Sequence, residues 1–318
     1  MLVNADKPNR WKEDVQASVA FFNHWFVNSA PKVYRDSRVL ATIEVKNAMQ
    51  HSNDFREISP ATIREYPGIV PVLRMAMAPP IARDRLIGLS GTKASLQKSL
   101  ESGILPSRMS DAALDSNLTL LCDVLNGLLD LDLFPWIAKN STTNDYEREL
   151  AAVVVADRLC GAQADPIVRN AQERRQLAAI ESWLIAHDYT KGVHAANRPL
   201  TEMESGTFAF RMNVSVANGQ SRRVNIPVDV VVQPKKSMSG GFPMMIEAKS
   251  AGDFTNTNKR RKEEAQKVRQ LRETYGASVS MLLFLCGYFD TPYLGYEAAE
   301  GLDWVWEHRI DDLAIAGL

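Results

Sequence analysis

The sequence predicts a mixed α/β (α+β) protein, a central mixed β-sheet flanked by helices, with a largely helical amino-terminal region ahead of it. Three observations carry this. Residues 208–232 alternate apolar with polar or small side chains on either side of Asn218-Gly219, which predicts an antiparallel hairpin. A further apolar run, Met244-Met245-Ile246, is joined to another, Val279 to Leu285, by a charged segment long enough for a helix. From Trp11 to about Lys139, by contrast, no strand-like alternation stands out. A strand-helix-strand crossover that follows a hairpin puts parallel and antiparallel pairs into one sheet.

The elements follow in order. Val15, Val19, Phe22 and Phe26 recur at spacings of three and four, and Leu118, Leu121, Val124, Leu125 and Leu128 form a second apolar helix face. Pro67, Pro71, Pro79 and Pro80 cut the chain between them into short pieces, because each removes a backbone donor and restricts the preceding residue. The polar run Asn140 to Asp145 reads as a linker, which divides the chain into a helical region, 1–145, and a second region, 146–318. Helices are expected from about Glu147 to Leu159 and from Pro166, a first-turn proline behind Asp165, to His187. Phe208 to Val216 and Val224 to Val232 are the hairpin arms, Gly240-Gly241 precedes the Met244 to Lys249 strand, and a helix from about Asn258 to Tyr275 stops at Gly276.

Composition sets limits on function. With 318 residues, 45% hydrophobic and 24% charged, the chain can bury a core without disulfides or metals. Cys122, Cys160 and Cys286 match no metal spacing, no basic leader with an apolar stretch precedes Trp11, and no apolar run reaches membrane length. A reduced, cytoplasmic protein without a membrane partner is the expectation. A net charge of -1 argues against coating of nucleic acid over the whole surface, yet leaves room for a local basic groove. The five histidines show no ligand spacing, which argues against a histidine-metal site.

Chemistry concentrates in residues 227–249. Pro227-Val228-Asp229 opens one apolar strand, and Glu247-Ala248-Lys249 ends the next. A side-chain period of two places Glu247 and Lys249 on one face with Ala248 turned away. Two carboxylates from neighbouring strands suit Mg²⁺, which takes one or two protein carboxylates and keeps several waters. An ammonium beside them can hold a water and offset charge on a phosphorus under attack, so phosphodiester hydrolysis fits. A structural ion pair is the plain alternative for any one of these residues.

Pro227-x-Asp229 followed by Glu247-x-Lys249 resembles the PD-(D/E)XK nuclease superfamily, which includes most type II restriction endonucleases. More narrowly, Glu247-Ala-Lys-Ser-Ala-Gly-Asp-Phe-Thr-Asn with Asn258-Lys-Arg-Arg-Lys-Glu-Glu-Ala resembles the XamI-like restriction endonucleases. Trp11 to Phe26, Pro79 to Gly88, Gly287 to Asp290 and Trp304 to His308 are similar too, so the likeness spans most of the chain. The resemblance implies a restriction-endonuclease-like core and a Mg²⁺-dependent enzyme that cuts both strands of a short double-stranded DNA site. It further implies a homodimer working beside a cognate DNA methyltransferase in a bacterial restriction-modification system. Asp229 and Glu247 would bind the metal and Lys249 would order the attacking water.

Many members add a glutamate from the helix before the hairpin. Leu177, Ile180 and Leu184 mark the buried stripe of that helix; Glu173 falls near its middle one turn earlier, and Glu181 toward its edge, so Glu173 is the expected third carboxylate. Between Lys259 and Arg272 seven basic residues face two acidic ones. Lys259, Arg260, Arg261 and Lys262, with Asn256 and Asn258, start close after Lys249 and are expected to meet DNA phosphates. Lys267, Arg269 and Arg272 fit a solvated helix face at least as well. Arg83 and Arg85, after a diproline, are candidates for bidentate contact with guanine, or for salt bridges with nearby carboxylates such as Asp84. Two other classes stay open: a repair-type or structure-specific nuclease on the same fold, and a DNA-binding protein without catalysis.

Overall fold

A computed structural model describes residues 2–192, 199–217, 223–236, 241–255, 257–277 and 279–318, without the side chains of 165 and 257–262. The Asn218-Gly219 turn, Gly240, His194 and Asn256 lie outside the described residues. The helices in chain order are α1 (Pro8–His51), α2 (Pro60–Glu65), α3 (Val70–Met75), α4 (Arg83–Ser90), α5 (Ala94–Glu101), α6 (Asp111–Leu128), α7 (Pro135–Ala138), α8 (Asp145–Gly161), α9 (Ala164–Ala186), α10 (Thr257–Tyr275) and α11 (Thr291–Ala299). The strands are β1 (Thr190–Lys191), β2 (Thr207–Ala217), β3 (Arg223–Val232), β4 (Met244–Ala251), β5 (Met281–Gly287) and β6 (Asp303–Trp306). Among the described residues no helix is long and apolar enough to cross a membrane.

The chain divides into two compact units, residues 31–168 and residues 1–30 with 169–318. The single cut expected near residue 145 therefore falls differently. Asn140 to Asn144 does not link units; the Asn144 side chain accepts the Glu147 N–H (2.9 Å) while the Glu147 carboxylate accepts the Asn144 N–H (3.1 Å), a reciprocal cap on α8. Ala151, Ala152, Val155 and Ala156 of that helix then pack in the helical core with Val45, Leu73, Leu121 and Trp136. The prolines act as expected, since Pro60, Pro67 and Pro71 sit at the starts of short helical pieces.

In the other unit six strands form one sheet in chain order, β1 to β6. The β2–β3 and β3–β4 pairs are antiparallel, and β1–β2, β4–β5 and β5–β6 are parallel. The mixed sheet expected from the sequence is thus present, with β1, α11 and β6 added to the elements that periodicity revealed. Both faces are covered. Leu177, Ile180 and Leu184 of α9 pack against Val230, Ile246 and Phe284, while Val268 and Leu271 of α10 belong with Val231, Met245 and Leu283. Every residue of β5 is buried, as its unbroken apolar run requires.

The first thirty residues belong here because β6 and β5 bind them. Asp303 accepts the N–H groups of Asn4 (2.9 Å) and Ala5 (3.0 Å) and that of Val3, Trp11 packs on Trp304, and the Ser18 hydroxyl accepts the Gly287 N–H at 2.8 Å.

One irregularity positions the site. Phe208 and Phe210 pack on the α9 side, whereas Met212, Val214 and Val216 pack on the α10 side. Across the hairpin, Val230 and Val232 lie on the α9 side but Val228 on the α10 side. Both strands change face between the Phe210–Val230 and Met212–Val228 pairs, and Arg211 and Asp229 between them are not paired. Arg211 has φ of +52°, a left-handed conformation that turns a strand. Pairing of β3 with β4 stops at Val230–Ile246, one residue short of Asp229 and Glu247.

The far end of β4 is held by close backbone approach. Gly287 has φ of +97°, and a Cβ there would lie 2.2 Å from the Ala251 carbonyl oxygen. Gly287→Ala is expected to destabilise the protein by about 3 kcal/mol or more through combined strain and overlap. Thermal denaturation checks this, and an unchanged Tm would contradict it.

Candidate active site

A cleft of about 250 Å³ lies where β3 and β4 part. Asp229, Glu247, Ala248 and Lys249 line it from the sheet, Arg169, Glu173 and Gln176 from α9, and Glu263 from α10. The three residues singled out in the sequence therefore share one space. The mechanism is local. With the ladder ended, the Ala248 N–H donates to Asp229 Oδ2 at 2.9 Å, so this carboxylate spans the gap between the strands.

Glu247 and Lys249 project from β4 toward α10, as the period of two requires. Glu247 is 6% exposed; its Oε1 lies 3.2 Å from Lys249 Nζ and 2.8 Å from Lys267 Nζ, while its Oε2 is buried with no hydrogen-bond partner among the described residues. Lys249 Nζ also lies 3.1 Å from Glu264 Oε1, and Glu264 is 2% exposed. Lys267 Nζ donates further to the Pro227 carbonyl at 2.7 Å. A chain of alternating charge, Lys267–Glu247–Lys249–Glu264, thus runs between β4 and α10.

The electrostatics follow from burial. Asp229 is pushed up to about 6, first by burial and then by the neighbouring Glu247 charge, against the Ala248 N–H and the two lysines. For Lys249, burial pulls the ammonium down, but Glu247 and Glu264 together outweigh it and the net direction is up. Lys249 is therefore a charged donor near neutral pH. It can orient a water or balance an anion, and it is poorly suited to take a proton.

Among the described residues no group of three or more His, Cys, Asp or Glu side chains gathers as a metal cage. The donor set fits a hard cation that takes two carboxylates and completes its shell with water and substrate oxygens. The orphaned Glu247 Oε2 and the mutual repulsion of Asp229 and Glu247 are the features such an ion would relieve.

Glu173 lines the same cleft, but its Oε1 is 3.0 Å from Arg211 Nη2. Glu181 is off the cleft, 2.8 Å from Lys191. Gln176, buried on α9, donates toward the carbonyls of Lys249 (3.3 Å) and Phe284 (3.2 Å), tying α9 to the later part of β4 and the middle of β5. Lys259, Arg260, Arg261, Lys262 and Asn258 fall in the first turns of α10, their side chains outside the described residues, as is Asn256 entirely. In the helical unit Arg83 lies 3.5 Å from Glu101 and 3.8 Å from Asp84, and Arg85 is exposed.

Two functional candidates escaped the sequence reading. Lys267 fits a solvated face by its spacing, yet it ends the charge chain at Glu247; Arg272 donates to the carbonyls of Glu300 and Gly301. Glu264 shares a buried helical stripe with Val268 and Leu271. A charged residue at a core position of an amphipathic helix was the available signal.

Comparison with known proteins places the chain in a family. The family profile of the XamI restriction endonuclease matches residues 53–306. The chain is 59% identical over 316 residues to "Type II restriction enzyme SalI" of Streptomyces albus G, covering 99% of this chain and 100% of that protein. A solved structure, protein VC1899 from Vibrio cholerae, covers 90% of this chain and 55% of its own length at 12% identity, with a TM-score of 0.28, too weak a likeness to carry any argument. By the family profile and the full-length relative together, the chain belongs to the XamI restriction endonuclease family and is an enzyme of that kind.

Proposed function

We propose that this enzyme hydrolyses phosphodiester bonds in both strands of a short, specific double-stranded DNA site, with Mg²⁺ held by Asp229 and Glu247. One observation carries the reading: two carboxylates share a cleft with a charged lysine, in an arrangement that leaves one buried carboxylate oxygen without a partner among the described residues. The bound cation would supply Lewis-acid polarisation and a more acidic water. Lys249 orients the nucleophilic water and offsets charge at the phosphoryl oxygens. Glu173 stands at the cleft as a third carboxylate, with Arg211 as its counter-charge in the absence of DNA.

The basic cluster Lys259, Arg260, Arg261 and Lys262, with Asn256 and Asn258, is assigned to the DNA backbone because it follows Lys249 so closely in the chain. Arg83 and Arg85 remain the proposed base readers. A homodimer on a palindromic site, paired with a cognate methyltransferase, completes the assignment.

The metal-free protein should show the repulsion in its stability. Asp229 has a folded pKa of about 6 against an ordinary 3.8, so its protonated form is the one favoured by folding. The stability it contributes is present below pH 3.8 and is lost as pH rises to about 6, a difference of roughly 3 kcal/mol. In EDTA at pH 7.5, Asp229→Asn is therefore expected to melt above the wild type, whereas Mg²⁺ should raise the Tm of the wild type alone. A variant that melts lower, or gains equally from Mg²⁺, would count against the shared ion.

Plasmid DNA incubated with Mg²⁺ should give discrete fragments, lost in Asp229→Ala and in Lys249→Ala. A smear or nicked circles would favour a repair-type nuclease, and fragments that persist in either variant would remove that residue from the site. Ca²⁺ is expected to support binding without rapid cutting.

Neutralising Lys259, Arg260, Arg261 and Lys262 should weaken binding to all sequences and flatten its dependence on salt, because fewer counterions are released. Gel shifts across a salt series measure the slope; an unchanged slope removes these residues from the phosphate path.

A further inference from the structure

We propose that Glu264 is the positioning residue for Lys249, holding its ammonium in place when Glu247 turns to the metal. This rests on the reading of Asp229, Glu247 and Lys249 as the reaction site.

Glu247 Oε1 serves two ammonium groups, Lys249 at 3.2 Å and Lys267 at 2.8 Å. A cation on Glu247 competes with both. Lys267 keeps a second partner in the Pro227 carbonyl at 2.7 Å. Among the described residues the other ion-pair partner of Lys249 is Glu264, at 3.1 Å. Without that carboxylate, an ammonium next to a divalent ion would be driven out of the cleft by like-charge repulsion. With it, Lys249 stays charged and fixed in the cleft, beside Glu247.

The setting of Glu264 favours this over a role in stability alone. It is 2% exposed, its Oε2 is buried without a hydrogen-bond partner, and its helical neighbours Ala265, Val268 and Leu271 are core residues. A buried carboxylate on an otherwise apolar stripe is weak evidence for stability, since a fully apolar replacement of a buried pair is often no less stable. Glu264 also comes from α10, not from the strand that carries Lys249, so the helix that begins just after the site returns to clamp it.

The test uses full-length enzyme and a plasmid that the wild type cuts. Glu264→Gln is expected to lower kcat about 10- to 100-fold. KM and DNA binding in Ca²⁺ should stay close to wild type even where loss of one partner of the buried pair lowers Tm, and Glu264→Asp should recover part of kcat. Wild-type kcat in Glu264→Gln overturns the proposal, as does a fall in Ca²⁺-supported binding equal to the fall in kcat. Glu264→Leu, which keeps the volume and removes the polar group, is read by the same criteria should Glu264→Gln fail to fold. Asp229→Ala is run in parallel. Its continued cleavage would overturn the underlying reading of the site, whereas an inactive Asp229→Ala beside a fully active Glu264→Gln overturns the role of Glu264 alone.

Discussion

The architecture turns on the parting of β3 and β4 at Asp229. Antiparallel strands that continued their ladder would seal the sheet there and leave no room for a ligand between Asp229 and Glu247. The ladder ends at Val230–Ile246, and the Asp229 carboxylate bonds the Ala248 N–H across the opening. The carboxylate is anchored by one oxygen to the neighbouring strand, which holds it beside Glu247 despite their repulsion. Burial and like charge make that proximity unfavourable for the empty protein. Sites that bind cations commonly retain such strain, and here it sits on a sheet whose both faces are packed.

The two helices that cover the sheet divide the remaining work. Gln176 of α9 holds the carbonyls of Lys249 in β4 and Phe284 in β5, which fixes the height of Lys249 in the cleft. Glu264 and Lys267 of α10 supply the opposite charges for Lys249 and Glu247. Gly287 and Ala251 lock the strand ends just beyond, with Tyr288 N–H donating to the Ala251 carbonyl at 3.0 Å. A short run of strand is thus held from both faces and from its end, the rigidity that a site needing placement within a fraction of an ångström demands.

Much of this was legible in the chain. The hairpin arms, the apolar strand ending in Glu247-Ala248-Lys249 and the helix stopped by Gly276 follow from periodicity and turn residues, and their order predicts the mixed sheet. The face change at Arg211 and Asp229 was hidden, because both faces of this sheet are apolar and the run Phe208, Phe210, Met212, Val214, Val216 reads as one continuous stripe. β6, only four residues long, is too short for a periodicity to show, and the attachment of residues 1–30 depends on pairings some 300 residues apart, such as Asn4 with Asp303. The polar run before α8 looked like a linker, yet a capping box has the same composition. Glu264 and Lys267 lie in a segment whose high charge masks its buried stripe.

The claim that Asp229 and Glu247 share one ion is tested most directly by soaking crystals of the enzyme in Mn²⁺ and collecting anomalous diffraction. The account predicts a peak between the two carboxyl groups, within coordinating distance of both, that vanishes in Asp229→Asn. A peak bound elsewhere, or one that touches Glu247 and ignores Asp229, would contradict it.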